Sequence, residues 1–376
     1  MTDPTSESVA EAIHAAHPEL ERIAAASEDP VYLVGGAVRD QLLGHSRADL
    51  DVVVVGDAGA LARALGAPSA EHDRFGTAKV ALGDDEVDIA MARTESYREP
   101  GALPDVAPAP DIETDLGRRD FTINAMAVPL QGDRALIDPH GGRADVAAGL
   151  VRVLHGRSFI DDPTRAIRAA RYAARLGFSL EDETEALLRE ADLETVSVDR
   201  REAEYLRLAG EPSAPEAYRL LAEWGLVELR AGGADLARRV GELLELPLWE
   251  LRAERNRVVH AAATGEPGGE MELAAADPSR PSDAVALMTA YGAIEMVLAR
   301  AHGAHWLDDY LEKWSEVRLE IDGNDLIAAG VTEGRAVGRG LAEAKRRKVD
   351  GEIAGREEEL AAALAAAKED QADGVA

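Results

Sequence analysis

Asp49 and Asp51 are the residues whose types and spacing point most directly to chemistry. They stand two apart at the mouth of the apolar run Leu50 to Val55, and a strand sends residues i and i+2 to one face. Two carboxylates aimed at one place beside the glycine pair Gly35-Gly36 suit a divalent metal bound to a polyphosphate, although a polar strand edge after a loop has the same pattern. Mg²⁺ takes carboxylate oxygens together with substrate phosphates. In nucleotidyl transfer such an ion activates the attacking hydroxyl and neutralises charge on the α-phosphate and the departing pyrophosphate. Asp88, flanked by apolar residues on a second predicted strand, is placed to be a third carboxylate. Gly35-Gly36 opens a short predicted helix, Ala37 to Leu43. Backbone N–H groups of such a turn bind phosphate oxygens, and Arg39 adds a cation there.

Two further stretches concern a nucleotide. In RRDFTINAM, residues 118–126, arginines offer bidentate donors to a triphosphate. Arg119 is the second of them, Asp120 can accept from ribose hydroxyls, and Asn124 follows one helical turn later on a predicted helix. In residues 161–177, Asp162 reads as a helix N-cap, Pro163 as the first helical residue and Gly177 as the stop. Arg165, Arg168, Arg171 and Arg175 step by three, three and four, which predicts one basic stripe able to meet phosphate or a base edge. Asp162 with Arg165 offers an acceptor beside a donor fork, the combination that reads a Watson–Crick edge. Residues 151–180 hold six arginines and two aspartates inside a chain of net charge −30.

The elements that position these residues divide into two regions. Up to about residue 143, short strands at 31–34, 49–55, 80–82 and 87–92 alternate with helices at 5–28, 37–43 and 58–65. This predicts a mixed sheet of three to five strands with helices on one side. Residues 95–117, rich in Pro and Asp, read as a mobile loop, and Asp138 to Gly142 as a closing turn. Beyond, Ala, Leu, Glu and Arg dominate and the chain reads as helical, ending in an amphipathic helix; Trp224, Trp249, Trp306 and Trp314 are expected in cores. The 376-residue length implies two or three domains. With no cysteine, disulfides and thiolate metal sites are excluded. No basic, apolar leader and no apolar run of about 18 residues is present, so the reading is a cytoplasmic protein without membrane contact. An acidic surface argues against nucleic acid in dilute buffer. Only five of the 41 basic residues are lysine, however, a composition that resembles adaptation to high salt. At about 1 M salt, charges more than ~3 Å apart are screened, so local clusters decide the partner.

LVGGAVRDQLLG, Asp49-Leu50-Asp51, RRDFTINAM, DPHGG and DDPTRAIRAARYAARLGF, in that order, resemble the class II tRNA nucleotidyltransferase and poly(A) polymerase family of the polymerase-β superfamily. The resemblance implies an α+β fold: a nucleotidyltransferase head over 1–143, a helical neck and body over 144–230 that selects the nucleotide and binds RNA, and a helical tail over 231–376. It implies Mg²⁺ on Asp49 and Asp51, and triphosphate on Gly35, Gly36 and Arg39. Arg119, Asp120 and Asn124 match its triphosphate and ribose motif. Asp161, Asp162 and Arg165 match the base-reading motif, usually Glu-Asp-x-x-Arg, with Asp161 in place of Glu; Arg168 joins the nucleotide site, and Arg171 and Arg175 the RNA. The implied activity is template-independent addition of CCA, or part of it, to tRNA 3′ ends from CTP and ATP. The alternatives are a poly(A) polymerase and a catalytically silent RNA-binding relative.

Overall fold

The computed structural model describes residues 6–45, 50–66, 70–72, 77–82, 85–132, 135–265 and 268–373. It falls into two compact units, residues 1–228 and 229–376. The first unit begins with helices α1 (Ser6–Ala16) and α2 (Glu19–Ala25), not one helix. Pro18 separates them, because a proline cannot donate to the preceding turn.

A six-stranded sheet follows, in the order β3-β4-β5-β2-β1-β8. Its strands are β1 (Val31–Val34), β2 (Leu50–Val54), β3 (Ala70–His72), β4 (Thr77–Leu82), β5 (Asp85–Met91) and β8 (Ala127–Pro129). The pairing is antiparallel except between β2 and β5, which run parallel with Asp51 opposite Asp88. Because side chains alternate along a strand, Leu50, Val52 and Val54 enter the main core with Val80, Val87 and Ile89. Asp51, Val53 and Asp88 take the other face. Helices α1, α2, α3 (Gly36–Leu42) and α4 (Ala58–Leu65) supply that main core with Ile13, Leu20, Ile23, Val38 and Leu61.

Beside Val53 the second face is covered, and there Val34, Ala109, Ile112, Leu116 and Ala127 form a smaller core. Residues 95–117, expected as a loop, are ordered. A hairpin of β6 (Arg93–Ser96) and β7 (Asp105–Pro108) leads into α5 (Ile112–Leu116), capped by the Asp111 side chain. Ala109, Ile112 and Leu116 have an apolar face to bury there, which the sparse hydrophobic pattern concealed. The helix expected at RRDFTINAM is instead a single 3₁₀ turn, Thr122–Asn124, followed by β8. The ladder between β8 and β1 takes the backbone groups that a helix would have needed.

Helices α6 (Gly142–Ala148), α7 (Ser158–Asp161), α8 (Thr164–Leu176), α9 (Asp182–Leu187), α10 (Val198–Ala209) and α11 (Ala214–Glu223) complete the first unit, with a two-stranded parallel ribbon of β9 (Leu150–Val151) and β10 (Ser179–Leu180). α8 begins where Asp162 Oδ1 accepts from the Thr164 amide and hydroxyl, 3.1 and 2.6 Å away, and ends at left-handed Gly177. Its Ala166, Ala169 and Ala173 join the main core.

The second unit is helical, from Gly233–Leu243 to Gly355–Asp373. Its C-terminal core gathers Leu326, Ala344, Ala363 and Ala367. Trp249 is buried as expected and donates to Asp308 at 2.9 Å, whereas Trp224, Trp306 and Trp314 are only half-buried. No helix among the described residues is long and apolar enough to cross a membrane.

Candidate active site

Parallel pairing places Asp51 and Asp88 side by side on the open face of the sheet. Asp88 in turn faces Lys79 across β4, with Lys79 Nζ 3.6 Å from its carboxylate. Asp49 lies outside the described residues, as do Gly83 and Asp84 of the expected hairpin turn. Among the described residues no cluster of three or more metal-ligating side chains occurs. Asp51 and Asp88 are nevertheless hard oxygen donors of the kind a divalent cation takes.

The glycine turn meets these carboxylates. Gly35 has φ +70°, a conformation that glycine adopts without penalty. A side chain there would lie 3.0 Å from Arg119 Nη1 and 3.9 Å from Asp51 Oδ2. The bare Gly35 thus keeps open the point where the Arg119 guanidinium and the Asp51 carboxylate converge. Its own amide is spent on the Met126 carbonyl at 3.2 Å.

Asp115, fully buried, orients both arginines of the RRD segment. It accepts from Arg118 Nε at 3.0 Å, from Arg119 Nη2 at 3.1 Å and from the Arg93 amide at 3.0 Å. Burial pushes its pKa up, but Arg119 and Arg118 more than offset that, so the carboxyl stays ionised below its ordinary range. Asp115 precedes the arginines by three and four residues, the helix-neighbour spacing, which is a signal that the sequence carried.

Asp120 is held at both oxygens. Oδ1 accepts from Asn124 Nδ2 at 3.1 Å and Oδ2 from Arg168 at 2.9 and 2.5 Å. Burial raises its pKa, and Arg168 and Asn124 overcome this to leave it at about 2. Arg39 departs from the expected triphosphate role. It is 2 % exposed and engages Asp40 at 2.8 Å and Asn124 Oδ1 at 2.6 Å, behind the cleft rather than in it. A buried guanidinium needs such partners to offset desolvation.

On α8, Arg165 donates to Ser158 Oγ at 2.6 Å and to the Arg118 carbonyl at 2.9 Å. Asp161 does not brace it. That carboxylate pairs with Arg157 at 2.9 Å and lies outside the cleft lining. The hydrogen bonds that Asp162 accepts, from Thr164 and from Arg200 at 3.1 Å, all fall on Oδ1. The four arginines do not act as one stripe. Each three-residue step lags about 60° behind a full turn, so Arg165 and Arg168 face the cleft while Arg171 and Arg175 turn toward Glu211, 3.7 and 3.9 Å away, and Arg175 toward Asp40 at 3.6 Å. The expected RNA-facing pair thus has acids as neighbours, and the Arg175 side chain stays half-exposed.

Asp51, Arg118, Arg119, Asp120, Asp162, Arg165 and Arg168 line one cleft of about 470 Å³, in which the described residues set seven arginines against five carboxylates. A second hollow of about 330 Å³, largely apolar, adjoins it and shares Asp51, Arg93, Arg118 and Arg119. Six charged or phenolic residues of the cleft carried no sequence signal: Arg93, Glu95, Tyr97, Arg200, Glu204 and Arg207. Tyr97 donates to Glu95 at 3.1 Å; burial and then Glu95 push its hydroxyl up to about 12, so it remains a neutral donor.

A family described as the poly A polymerase head domain matches residues 31–152. A CC-adding tRNA nucleotidyltransferase of Deinococcus radiodurans is 36 % identical over 352 residues, covering 88 % of this chain and 87 % of that protein. An A-adding tRNA nucleotidyltransferase of Geobacter sulfurreducens is 44 % identical over 180 residues, but the match spans 46 % of this chain and a mere 20 % of that longer protein. Among solved structures, the Thermotoga maritima CCA-adding enzyme complexed with tRNA superposes with TM-score 0.67 at 28 % identity, over 92 % of this chain and 93 % of that one.

Proposed function

The chain belongs to the class II CCA-adding tRNA nucleotidyltransferase family, and from that premise we propose that it adds CCA, or part of it, to tRNA 3′ ends from CTP and ATP. The observation that carries this reading is the single cleft in which Asp51 and Arg119 stand together with Asp120, Asp162 and Arg165. A carboxylate for metal, a cation for triphosphate, an acceptor for ribose and a donor–acceptor pair for the base are the parts that templateless transfer requires.

In the proposed reaction the tRNA 3′-hydroxyl attacks the α-phosphate. A new O–P bond forms, the α–β phosphoanhydride bond breaks, and pyrophosphate departs. Nucleotidyltransferases of this kind use divalent metal; here the ion is proposed to be Mg²⁺, held by Asp49 and Asp51, with Asp88 beside Asp51, and when bound it would lower the hydroxyl pKa and neutralise phosphate charge. Arg119, oriented by Asp115, holds the triphosphate over the bare Gly35. Asp120, fixed by Arg168 and Asn124, accepts from the ribose. Asp162, with Oδ2 left for a ligand, and Arg165 choose the base. The proposed domains are a head over 1–143, a neck and body over 144–230 and a tail over 231–376. The setting we propose is a cytoplasm of high salt.

The deciding experiment supplies purified protein in high salt with tRNA lacking its 3′ end and each labelled NTP in turn. A defined CCA, CC or A product supports the proposal. A long A ladder would identify a poly(A) polymerase, and no product with intact tRNA binding a silent relative.

A further inference from the structure

Tyr172, midway along α8, meets three guanidinium groups. The Cζ atoms of Arg39, Arg168 and Arg171 lie 5.3, 5.7 and 5.1 Å from its ring centroid. Phe121 supports the ring edge-to-face, with centroids 5.8 Å apart at 79°. The phenol oxygen is 3.5 Å from Arg168 Nη2, at the limit of a hydrogen bond, so the ring rather than the hydroxyl makes the close contacts.

A side chain that only filled space here would be aliphatic, since mutually repelling cations gain nothing from an alkyl surface. An aromatic face attracts them electrostatically. Two of the three cations, moreover, converge on one carboxylate. Arg168 holds Asp120 Oδ2 directly, and Arg39 holds Asn124 Oδ1 at 2.6 Å while the Asn124 amide holds Asp120 Oδ1. Contacts therefore close a ring from Tyr172 through Arg168, Asp120, Asn124 and Arg39 back to Tyr172.

We propose that Tyr172 is the positioning residue of this ring: its face sets the two arginines that aim Asp120, and so sets how strictly the site demands a ribose 2′-hydroxyl. The inference rests on the nucleotide-binding reading above, in which Asp120 accepts from the sugar. A hydroxyl bound by a fixed, ionised acceptor is discriminated from its absence, whereas a wandering acceptor loses that discrimination.

The test compares CTP with dCTP on the full chain, by calorimetric binding and by KM and kcat in transfer. Tyr172→Leu is expected to lower the ribose preference about tenfold, through weaker CTP binding with dCTP little changed. Tyr172→Phe, which keeps the ring, is expected to keep the preference. An unchanged preference in Tyr172→Leu, or an equal loss in Tyr172→Phe, overturns the proposal. Should Tyr172→Leu fail to fold, Arg39→Lys, which keeps the charge but loses the planar fork, must show the same loss, and an unchanged preference there overturns it equally. Because binding is read without turnover, a wild type that binds CTP over dCTP but transfers nothing would sink the functional reading while leaving the role of Tyr172 measurable. A wild type without ribose preference overturns the inference itself.

Discussion

Arg165 donates from Nη1 to Ser158 Oγ at 2.6 Å, a contact between buried side chains on the successive helices α8 and α7. The arginine proposed to read the base is thereby held by a neutral hydroxyl and by the Arg118 carbonyl, not by the acid that precedes Asp162. Ser158→Ala leaves a buried guanidinium donor without its acceptor, at a cost of about 1–3 kcal/mol. The expected result is a loss of CTP and ATP preference over UTP and GTP that exceeds the loss in turnover, measured by incorporation with each NTP. Unaltered selectivity in a folded variant would show that Arg165 is oriented by other contacts.

Asp51→Ala is expected to abolish nucleotide incorporation while leaving tRNA affinity near normal, by filter binding or anisotropy. Asp51 stands where the two hollows meet and its carboxylate contributes little to the apolar core beneath. Asp88→Ala, one strand away and half-exposed beside Lys79, should slow transfer less completely. Retained activity in Asp51→Ala would remove the metal assignment.

Gly35→Ala should be costly out of proportion to one methyl. With φ +70° and ψ −125°, Gly35 sits outside the left-handed helical well, in a region that costs a non-glycine residue about 1–3 kcal/mol. Its Cβ would also press on Arg119 Nη1 at 3.0 Å. NTP affinity is expected to fall with tRNA affinity unchanged; an unaltered KM for NTP would argue against Arg119 as the triphosphate cation.

Asp120 fixes the direction of one acid transition. Its folded pKa, about 2, lies below the ordinary carboxylate value of 3.8. A depressed folded pKa stabilises the protein above the unfolded value, and that contribution is lost as pH falls through about 2. Asp120→Asn should therefore lose stability relative to wild type at neutral pH, and the gap should close between pH 3.8 and about 2. Urea unfolding of both proteins across that range measures it. A gap that does not change with pH would show that ionisation of Asp120 is not what stabilises it.

The net charge of −30 bears on salt. Self-repulsion destabilises a compact acidic chain, and about 1 M salt screens it. The melting temperature is expected to rise between about 0.1 and about 1 M KCl; a fall would contradict adaptation to salt.

Local physics made much of this protein legible in its sequence. The bounds of α8 follow from Asp162 and Gly177, and β2 from its valine run. The spacing of RRD and of the aspartates likewise pointed to a candidate nucleotide site in the first unit, because capping, strand alternation and glycine turns act over a few residues. Some local expectations failed where tertiary contacts competed. The 3₁₀ turn at Thr122–Asn124 replaced a helix because β8 pairs with β1, and the segment before it folded because Ile112 and Leu116 had a core to enter. What only the tertiary structure decided is the set of partners. That Asp88 lies beside Asp51 depends on a parallel pairing between strands distant in the chain; that Arg200 meets Asp162, Tyr97 the cleft, and Arg171 and Arg175 an acid depends on how distant segments settle around α8. Such contacts are selected by the burial of distant apolar faces, which no local spacing encodes.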